Sequence, residues 1–534
     1  MRCKARASKL RDKSISTEKR KKGNALSLLT QIIRENVQRY DEYAIVFFEG
    51  QAHTNRQELQ RIMKYARGLR ELGLNRGDVL LVFMENSLEV PRLYAACLFA
   101  GIVFCPALFL LSAEELSWVA EHSEAAFLVT DPGLLPKVRE ACRGLWEGGR
   151  VIVAHESVEK TVGAVSLREL AEEQPAELPD TDPADDDVAA LLYTSGTTGK
   201  PKGVLLSHRN LGSNVVSAIR TGKVGREETA LSSLPLSHSF GITVSLMPWF
   251  AGLKAVLTRW FEPGETLMLT ESHHVRSMVG VPEMFVQLLN HPHADRYNTR
   301  SWKRLVSGAA PCPVEIQRAF HEKFGVNLYE GYGLTEASPI VSMQGPHIPF
   351  KYGSVGLPLE GVEVRVVDDF DRPLPPGSPG EIVVRGPNVM LGYLKDPQGT
   401  EEALRGGWLH TGDMGYLDED GYLYVVERKR DLIITSGFNL YPAEVEEVLQ
   451  GHPAVEEAVV VGKPDPVKGE VVHAFIKLKE GRVASRDELL EHCRRHLVYY
   501  KCPKDLTFTD SIPKNLVGKP LRRALRESLL REGT

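Results

Sequence analysis

The stretch Tyr193-Thr194-Ser195-Gly196-Thr197-Thr198-Gly199-Lys200-Pro201-Lys202-Gly203 constrains this chain more than any other. It gathers three glycines, four aliphatic hydroxyls and two lysines, and it lies between two apolar runs, Val188 to Leu192 and Gly203 to Leu206. The first run reads as a buried parallel strand. A loop between buried strands is not a free linker. Its glycines let backbone approach an anion closely, its hydroxyls and N–H groups donate, and its lysines neutralise charge, which suits a polyphosphate. It is not a Walker P-loop. Only two residues separate Gly196 from Gly199, and Pro201 rather than Ser or Thr follows Lys200.

Around the loop, helical and strand patterns alternate to about residue 300, predicting an α/β fold of doubly wound parallel sheets. Leu26, Leu29, Ile32, Ile33 and Val37 recur at helical spacing. Thr54 and Gln57 form a capping box ahead of a second helix that stops at Gly73. Val79 to Met84 reads as a buried strand. From Gly353 to Val426 short alternating runs predict a small β subdomain of antiparallel strands. A compact α+β unit follows, with a helix at Pro442 to Gln450, strands at Val455 to Val461 and Val471 to Leu478, and a helix capped by Ser485 and Glu488. The expected organisation is a tail at 1–24, a large N-terminal domain at 25–427 with its β subdomain at about 353–426, a hinge at 428–431, and a small C-terminal domain at 432–534.

Leu93 to Ala113 carries no charge for twenty-one residues, long enough to raise a membrane span. Gly101 and Pro106 interrupt it, so the expectation is a buried helix from Pro91 to Ala100, a turn, and a strand from Ile102 to Cys105. An apolar surface at 107–111 that docks on a bilayer is the alternative. The net charge of −5 is unevenly spread: residues 1–22 hold ten Lys or Arg against Asp12 and Glu18. That segment has too few apolar residues to fold and reads as a disordered basic tail able to touch anionic lipid. Seven cysteines without a CxxC pair suit buried free thiols in a reducing cytoplasm. No nucleic-acid partner is implied, and a homodimer is left open.

Four further motifs occur in order: Gly331-Tyr332-Gly333-Leu334-Thr335-Glu336, Thr411-Gly412-Asp413, Arg428 to Gly437, and Pro513-Lys514 with Gly518-Lys519. Together with the loop they resemble the ANL adenylating enzymes, which comprise acyl- and aryl-CoA synthetases, peptide-synthetase adenylation domains and luciferases. The likeness covers roughly residues 25–530. It implies a two-step ligase. A carboxylate first attacks the α-phosphorus of ATP and releases pyrophosphate; coenzyme A then attacks the acyl-adenylate. The C-terminal domain is mobile in that family and rotates between the steps.

By the same resemblance, Thr194, Ser195, Gly196, Thr197, Thr198, Gly199 and Lys202 hold the β- and γ-phosphates. Glu336 is the Mg²⁺ ligand, a hard cation sharing few protein oxygens with several phosphate oxygens. Thr335 contacts the α-phosphate. Tyr332 stacks on adenine beside Gly333, and Gly308, Ala309 and Ala310 line the other face of the base. Asp413 accepts the ribose hydroxyls and Arg428 makes the second ribose contact. Lys519 bridges carboxylate and α-phosphate in the closed state, a task for a point charge on a flexible stem. Arg430 marks the hinge, and Gly437 lets backbone pass close to the pantetheine of coenzyme A. Two departures stand out: Glu427 where aspartate is usual, and Pro520 where a branched apolar residue is.

Within the family the likeness is to bacterial long-chain fatty-acyl-CoA synthetases, carried by 332–339, Val389-Met390-Leu391-Gly392-Tyr393 and 436–442. His238, counted among the catalytic residues, opens the expected acyl-pocket wall at His238 to Ser245, with Val279 to Pro282 and Ser307 to Pro311. These segments bring no acidic or basic side chain to read a polar amino acid, which favours a medium- or long-chain fatty acid. An acyl-carrier-protein acceptor or an aromatic acid is the alternative, and a non-catalytic nucleotide-binding protein the remote one.

Overall fold

A computed structural model describes residues 28–143, 150–154, 164–172, 174–177, 183–194, 201–428, 431, 433–435, 438–440, 442–465, 469–497, 499, 501–514 and 520–531. The basic tail, Ser195 to Lys200, Arg430, Gly437 and Lys519 lie outside the described residues, as do the side chains of Glu427 and Arg428.

Two large sheets sandwich a layer of helices. Among the described residues the first sheet has eight strands, ordered Gly392–Tyr393, Lys202–Ser207, Val188–Thr194, Val103–Leu108, Val79–Met84, Phe127–Thr130, Val151–Val153 and Ala164–Ser166. The second has nine, running from Leu357–Pro358 through Ile340–Met343, Leu328–Gly333, Arg304–Ser307, Ser277–Gly280, Thr229–Ser232, Lys254–Leu257 and Ala44–Phe48 to Gln51–Thr54. Ile45 and Leu257 of one sheet share a core with Val82, Phe104 and Leu206 of the other, through helices that include Asn55–Glu71, Glu89–Ala100, His208–Gly222 and Ser239–Ala251. The outer faces are covered separately. Leu81, Phe83 and Cys105 pack under the helix Ala113–Ser123. Leu231, Met278 and Leu305 pack against Phe285 and Phe320.

The uncharged segment divides as its glycine dictates. The helix Glu89–Ala100 ends at Gly101, whose φ of 69° is the left-handed C-cap, and the strand Val103–Leu108 follows. No helix among the described residues is long and apolar enough to cross a membrane. The strand runs through Pro106 instead of stopping at Cys105. Pro106 aligns with Val82 on one side, while the pairing to Val188–Thr194 on the other side is confined to Phe104 and Ala190. The missing N–H therefore falls where the ladder has already ended.

A second difference concerns the loop. Val188–Thr194 is parallel to its other neighbour but antiparallel to Lys202–Ser207, with Thr194 opposite Lys202. The glycine-rich segment thus connects two antiparallel strands, and that register sets the positions of Thr194 and Lys202 on either side of it. The smaller sheet Glu363–Val367, Gly380–Arg385, Leu409–Leu417, Leu423–Arg428 is antiparallel, as its alternation requires. From Ile433 onward the chain builds a core of its own, with Val445, Leu449, Val460, Ala474, Ile476 and Leu489 buried together.

Candidate active site

A cavity of about 1480 Å³ opens between the second sheet, the loop hairpin and the smaller sheet. Thr194, Lys202, His238, Gly308, Ala309, Tyr332, Gly333, Thr335, Glu336 and Asp413 all line it, although they span 220 residues of chain. Lys514 and Arg522 of the C-terminal unit stand at its rim. Ala310 is not among its lining residues. Arg428 pairs with Asp413 across two strands, so its backbone reaches the site.

Tyr332 ends the strand Leu328–Gly333, and Asp413 lies in Leu409–Leu417. The Tyr332 hydroxyl donates to Asp413 Oδ2 at 2.6 Å. Asp413 is 7% exposed, and its own N–H donates to Thr411 Oγ1 at 3.1 Å. A buried carboxylate beside an aromatic ring is the pairing expected for a ribose diol next to a stacked base. Gly333 is glycine for steric reasons: a Cβ there would sit 2.1 Å from the Pro339 carbonyl oxygen. Ala309 adopts φ 67°, left-handed backbone that costs a residue with a Cβ about 1–2 kcal/mol. Gly308 and Ala309 therefore give the cavity wall a turn of small residues.

Thr335 and Glu336 form one short turn, Thr335–Ala337. Thr335 Oγ1 lies 3.2 Å from Ser239 Oγ at the start of the helix Ser239–Ala251. His238 caps that helix, its Nδ1 accepting from the Phe240 N–H at 3.3 Å. The residue is half-buried and lines the cavity, and burial holds its pKa below the usual imidazole value. In the neutral ring Nδ1 accepts and Nε2 carries the proton.

Tyr393 was quoted above only for its likeness to the family, and it proves to tie the site together. Gly392–Tyr393 pairs with Lys202–Ser207, and the Met390 N–H donates to the Glu336 carbonyl at 2.9 Å. The Tyr393 hydroxyl donates to Glu336 Oε1 at 3.0 Å. Lys202 Nζ lies 4.5 Å above the centre of the Tyr393 ring and 3.4 Å from Asp396 Oδ2. Lysine and carboxylate thus share one aromatic support.

Glu336 fits a Mg²⁺ site of the expected kind. Among the described residues no three His, Cys, Asp or Glu side chains gather into a ready-made cage. A cation there would take Glu336 and complete its shell with phosphate oxygens and water.

The acyl side differs from expectation in one respect. His238, Ser239, Phe240, Val244, Val279, Gly308 and Ala309 line the cavity as anticipated. The cavity also continues along the sheet to Arg304, a cation that the sequence reading did not place there. The available signal was a polar residue in an otherwise apolar strand, Arg304–Ser307.

Comparison with known proteins bears on this geometry directly. The family model described as AMP-binding enzyme matches residues 33–394, and the AMP-binding enzyme C-terminal domain matches 444–519. The chain is 34% identical to a long-chain-fatty-acid–CoA ligase of Bacillus subtilis (strain 168), over 93% of this chain and 94% of that one. It is 37% identical to a feruloyl-CoA synthase of Amycolatopsis sp, over 89% and 94% respectively. Among solved structures, ATP-bound MatB from Rhodopseudomonas palustris superposes with a TM-score of 0.87 at 30% identity, covering 93% of this chain and 98% of that one. Apo MatB gives 0.75 over the same coverage. The chain belongs to the AMP-binding enzyme family and is an adenylate-forming acid–CoA ligase, whose reaction uses ATP, Mg²⁺ and coenzyme A.

Proposed function

We propose that the protein activates a medium- or long-chain fatty acid as its acyl-adenylate and transfers it to coenzyme A, yielding acyl-CoA, AMP and pyrophosphate. The observation that carries this reading is the continuity of the cavity. The polar groups Asp413, Tyr332, Thr335, Glu336 and Lys202 occupy one part of it. Another part is apolar, lined by Ala218 of the helix His208–Gly222, Met247 of the helix Ser239–Ala251, and Val224, Leu253, Ile340 and Met343. A site of this shape suits a ligand with one charged end and an alkyl body.

The roles are those that the motifs imply. Asp413 accepts the ribose hydroxyls with Arg428 beside it. Tyr332 stacks on the base against Gly308 and Ala309. Thr335 donates to the α-phosphate. The segment Ser195 to Gly199, with Thr194 and Lys202, holds the outer phosphates. Glu336 would hold Mg²⁺, which would supply positive charge where a carboxylate meets a triphosphate. His238, neutral, presents its Nε2–H toward the entering carboxylate. Lys519 completes the closed site, and the hinge at 428–431 with Arg430 then turns the C-terminal domain so that Gly437 flanks the pantetheine.

An aromatic acid is the second reading, favoured by the 37% identity to a feruloyl-CoA synthase. Pyrophosphate release with octanoate, dodecanoate, hexadecanoate, benzoate and ferulate, each with and without coenzyme A, separates the two. The fatty-acid reading expects dodecanoate or hexadecanoate to lead. Ferulate leading by tenfold or more (about 1.4 kcal/mol in transition-state binding) would replace it.

A further inference from the structure

The acyl channel has an identifiable floor. The strands Thr229–Ser232, Ser277–Gly280 and Arg304–Ser307 run parallel, with Ala230, Ser277 and Arg304 in one row and Ser232, Val279 and Val306 two rows on. Successive residues of a strand face opposite sides. Arg304, Val306 and Gly308 accordingly line the cavity, while Leu305 packs on the other face of the sheet. Gly308 lies beside the nucleotide wall, within reach of the Gly331 backbone. Four residues of extended chain separate it from Arg304, about 13 Å.

At that depth the wall turns from apolar to charged. Arg304 Nη1 donates to both carboxylate oxygens of Glu228 at 2.5 Å, and Nη2 donates to the Gly222 carbonyl at 2.5 Å. The Arg304 side chain is 7% exposed and that of Glu228 14%. The pair therefore bridges the strand Arg304–Ser307 to Glu228, just before the strand Thr229–Ser232, and to the end of the helix His208–Gly222, and it places a fixed charge on the cavity wall. Arg304 Nε is buried without a hydrogen-bond partner among the described residues.

We propose that the Arg304–Glu228 pair sets the longest acyl chain this enzyme accepts. The proposal rests on the fatty-acid reading above. Arg304 fixed on both sides cannot fold away for a longer chain, so added methylenes must either buckle in the channel or break a buried ion pair. Breaking such a pair by removing one partner is costly, whereas removing both leaves no orphan charge.

The test is the chain-length profile of kcat/KM for octanoate, dodecanoate and hexadecanoate, with Tm recorded for each variant. The double variant Arg304→Ala/Glu228→Ala should raise the hexadecanoate-to-dodecanoate ratio about tenfold, the scale on which a pocket discriminates methylenes. Ser277→Leu, in the same row as Arg304, should act oppositely and lower dodecanoate relative to octanoate. If the double variant does not fold, Ser277→Leu decides alone. A profile unmoved by Ser277→Leu, or by a folded double variant, overturns the proposal. A wild-type enzyme that releases pyrophosphate with no straight-chain acid contradicts the fatty-acid reading itself and removes the proposal with it.

Discussion

The Tyr393 hydroxyl donates to Glu336 Oε1 at 3.0 Å. The same ring lies under Lys202 Nζ, so a residue that touches neither phosphate nor metal orients both the cation and the carboxylate. Tyr393→Phe keeps the ring and removes only the hydrogen bond. A hydrogen bond to a charged group is worth about 1.5–3 kcal/mol, so the Mg²⁺ concentration for half-maximal rate should rise about tenfold or more. Glu336→Ala should raise it further and also lower the rate. Magnesium titration of pyrophosphate release checks both. Wild-type magnesium dependence in Glu336→Ala would remove Glu336 from the metal site.

Tyr332 and Asp413 offer a separate test of the nucleotide end. Tyr332→Phe preserves a stacking ring but takes a donor from a carboxylate that is 7% exposed. KM for ATP should rise about tenfold with a smaller change in kcat, again the scale of a charge-assisted hydrogen bond. An unchanged KM for ATP would mean that Asp413 does not hold the ribose.

Much of this site was legible because its motifs carry local geometry. The capping boxes at Thr54/Gln57 and Ser485/Glu488 form as read, because a hydroxyl three residues before a Glu or Gln is a self-contained instruction. Val79–Met84 and the helix Pro442–Gln450 have the bounds read from the sequence. What escaped was set by tertiary pairing. The hairpin at Thr194 and Lys202 has the same apolar pattern as a parallel crossover, since burial on both faces erases alternation. Pro106 sits in a strand because the neighbouring ladder stops short of it, a fact of register alone. The partnerships of Tyr393 with Glu336 and of Arg304 with Glu228 join residues 57 and 76 positions apart, and nothing local marks them.

Glu330 supplies a pH prediction. It lies under the Gly308 turn, one oxygen accepting from the Cys312 N–H at 3.1 Å and the other from Gln317 Nε2 at 3.2 Å. Burial outweighs these contacts and pushes its pKa up to about 8. The folded state thus holds the proton more tightly than the unfolded chain, whose value is 4.5. That contribution to stability is full below the unfolded pKa and is lost as pH rises toward the folded one. Denaturation by urea between pH 5 and 9 (a window chosen to bracket about 8) should show stability falling with rising pH. Glu330→Gln should flatten that slope. An unaltered slope in the variant would show that another group is responsible.

The two half-reactions should separate by mutation. Lys519 and Gly437 are assigned by motif to different positions of the C-terminal domain. Lys519→Ala should lose adenylate formation by about 10²–10³-fold, as for loss of one electrostatic stabiliser, yet still convert supplied acyl-adenylate to acyl-CoA. Gly437→Leu should form adenylate and transfer it poorly. Equal loss of both steps in each variant would mean that one fixed arrangement performs both.

The most direct measurement is a single-turnover experiment on the wild-type enzyme with ATP, Mg²⁺ and dodecanoate, first without coenzyme A and then after its addition. The account predicts pyrophosphate and enzyme-bound dodecanoyl-adenylate in equal amounts before coenzyme A is present. Dodecanoyl-CoA and AMP should appear only afterwards. Release of ADP and phosphate, or thioester formation with no preceding adenylate, would contradict it.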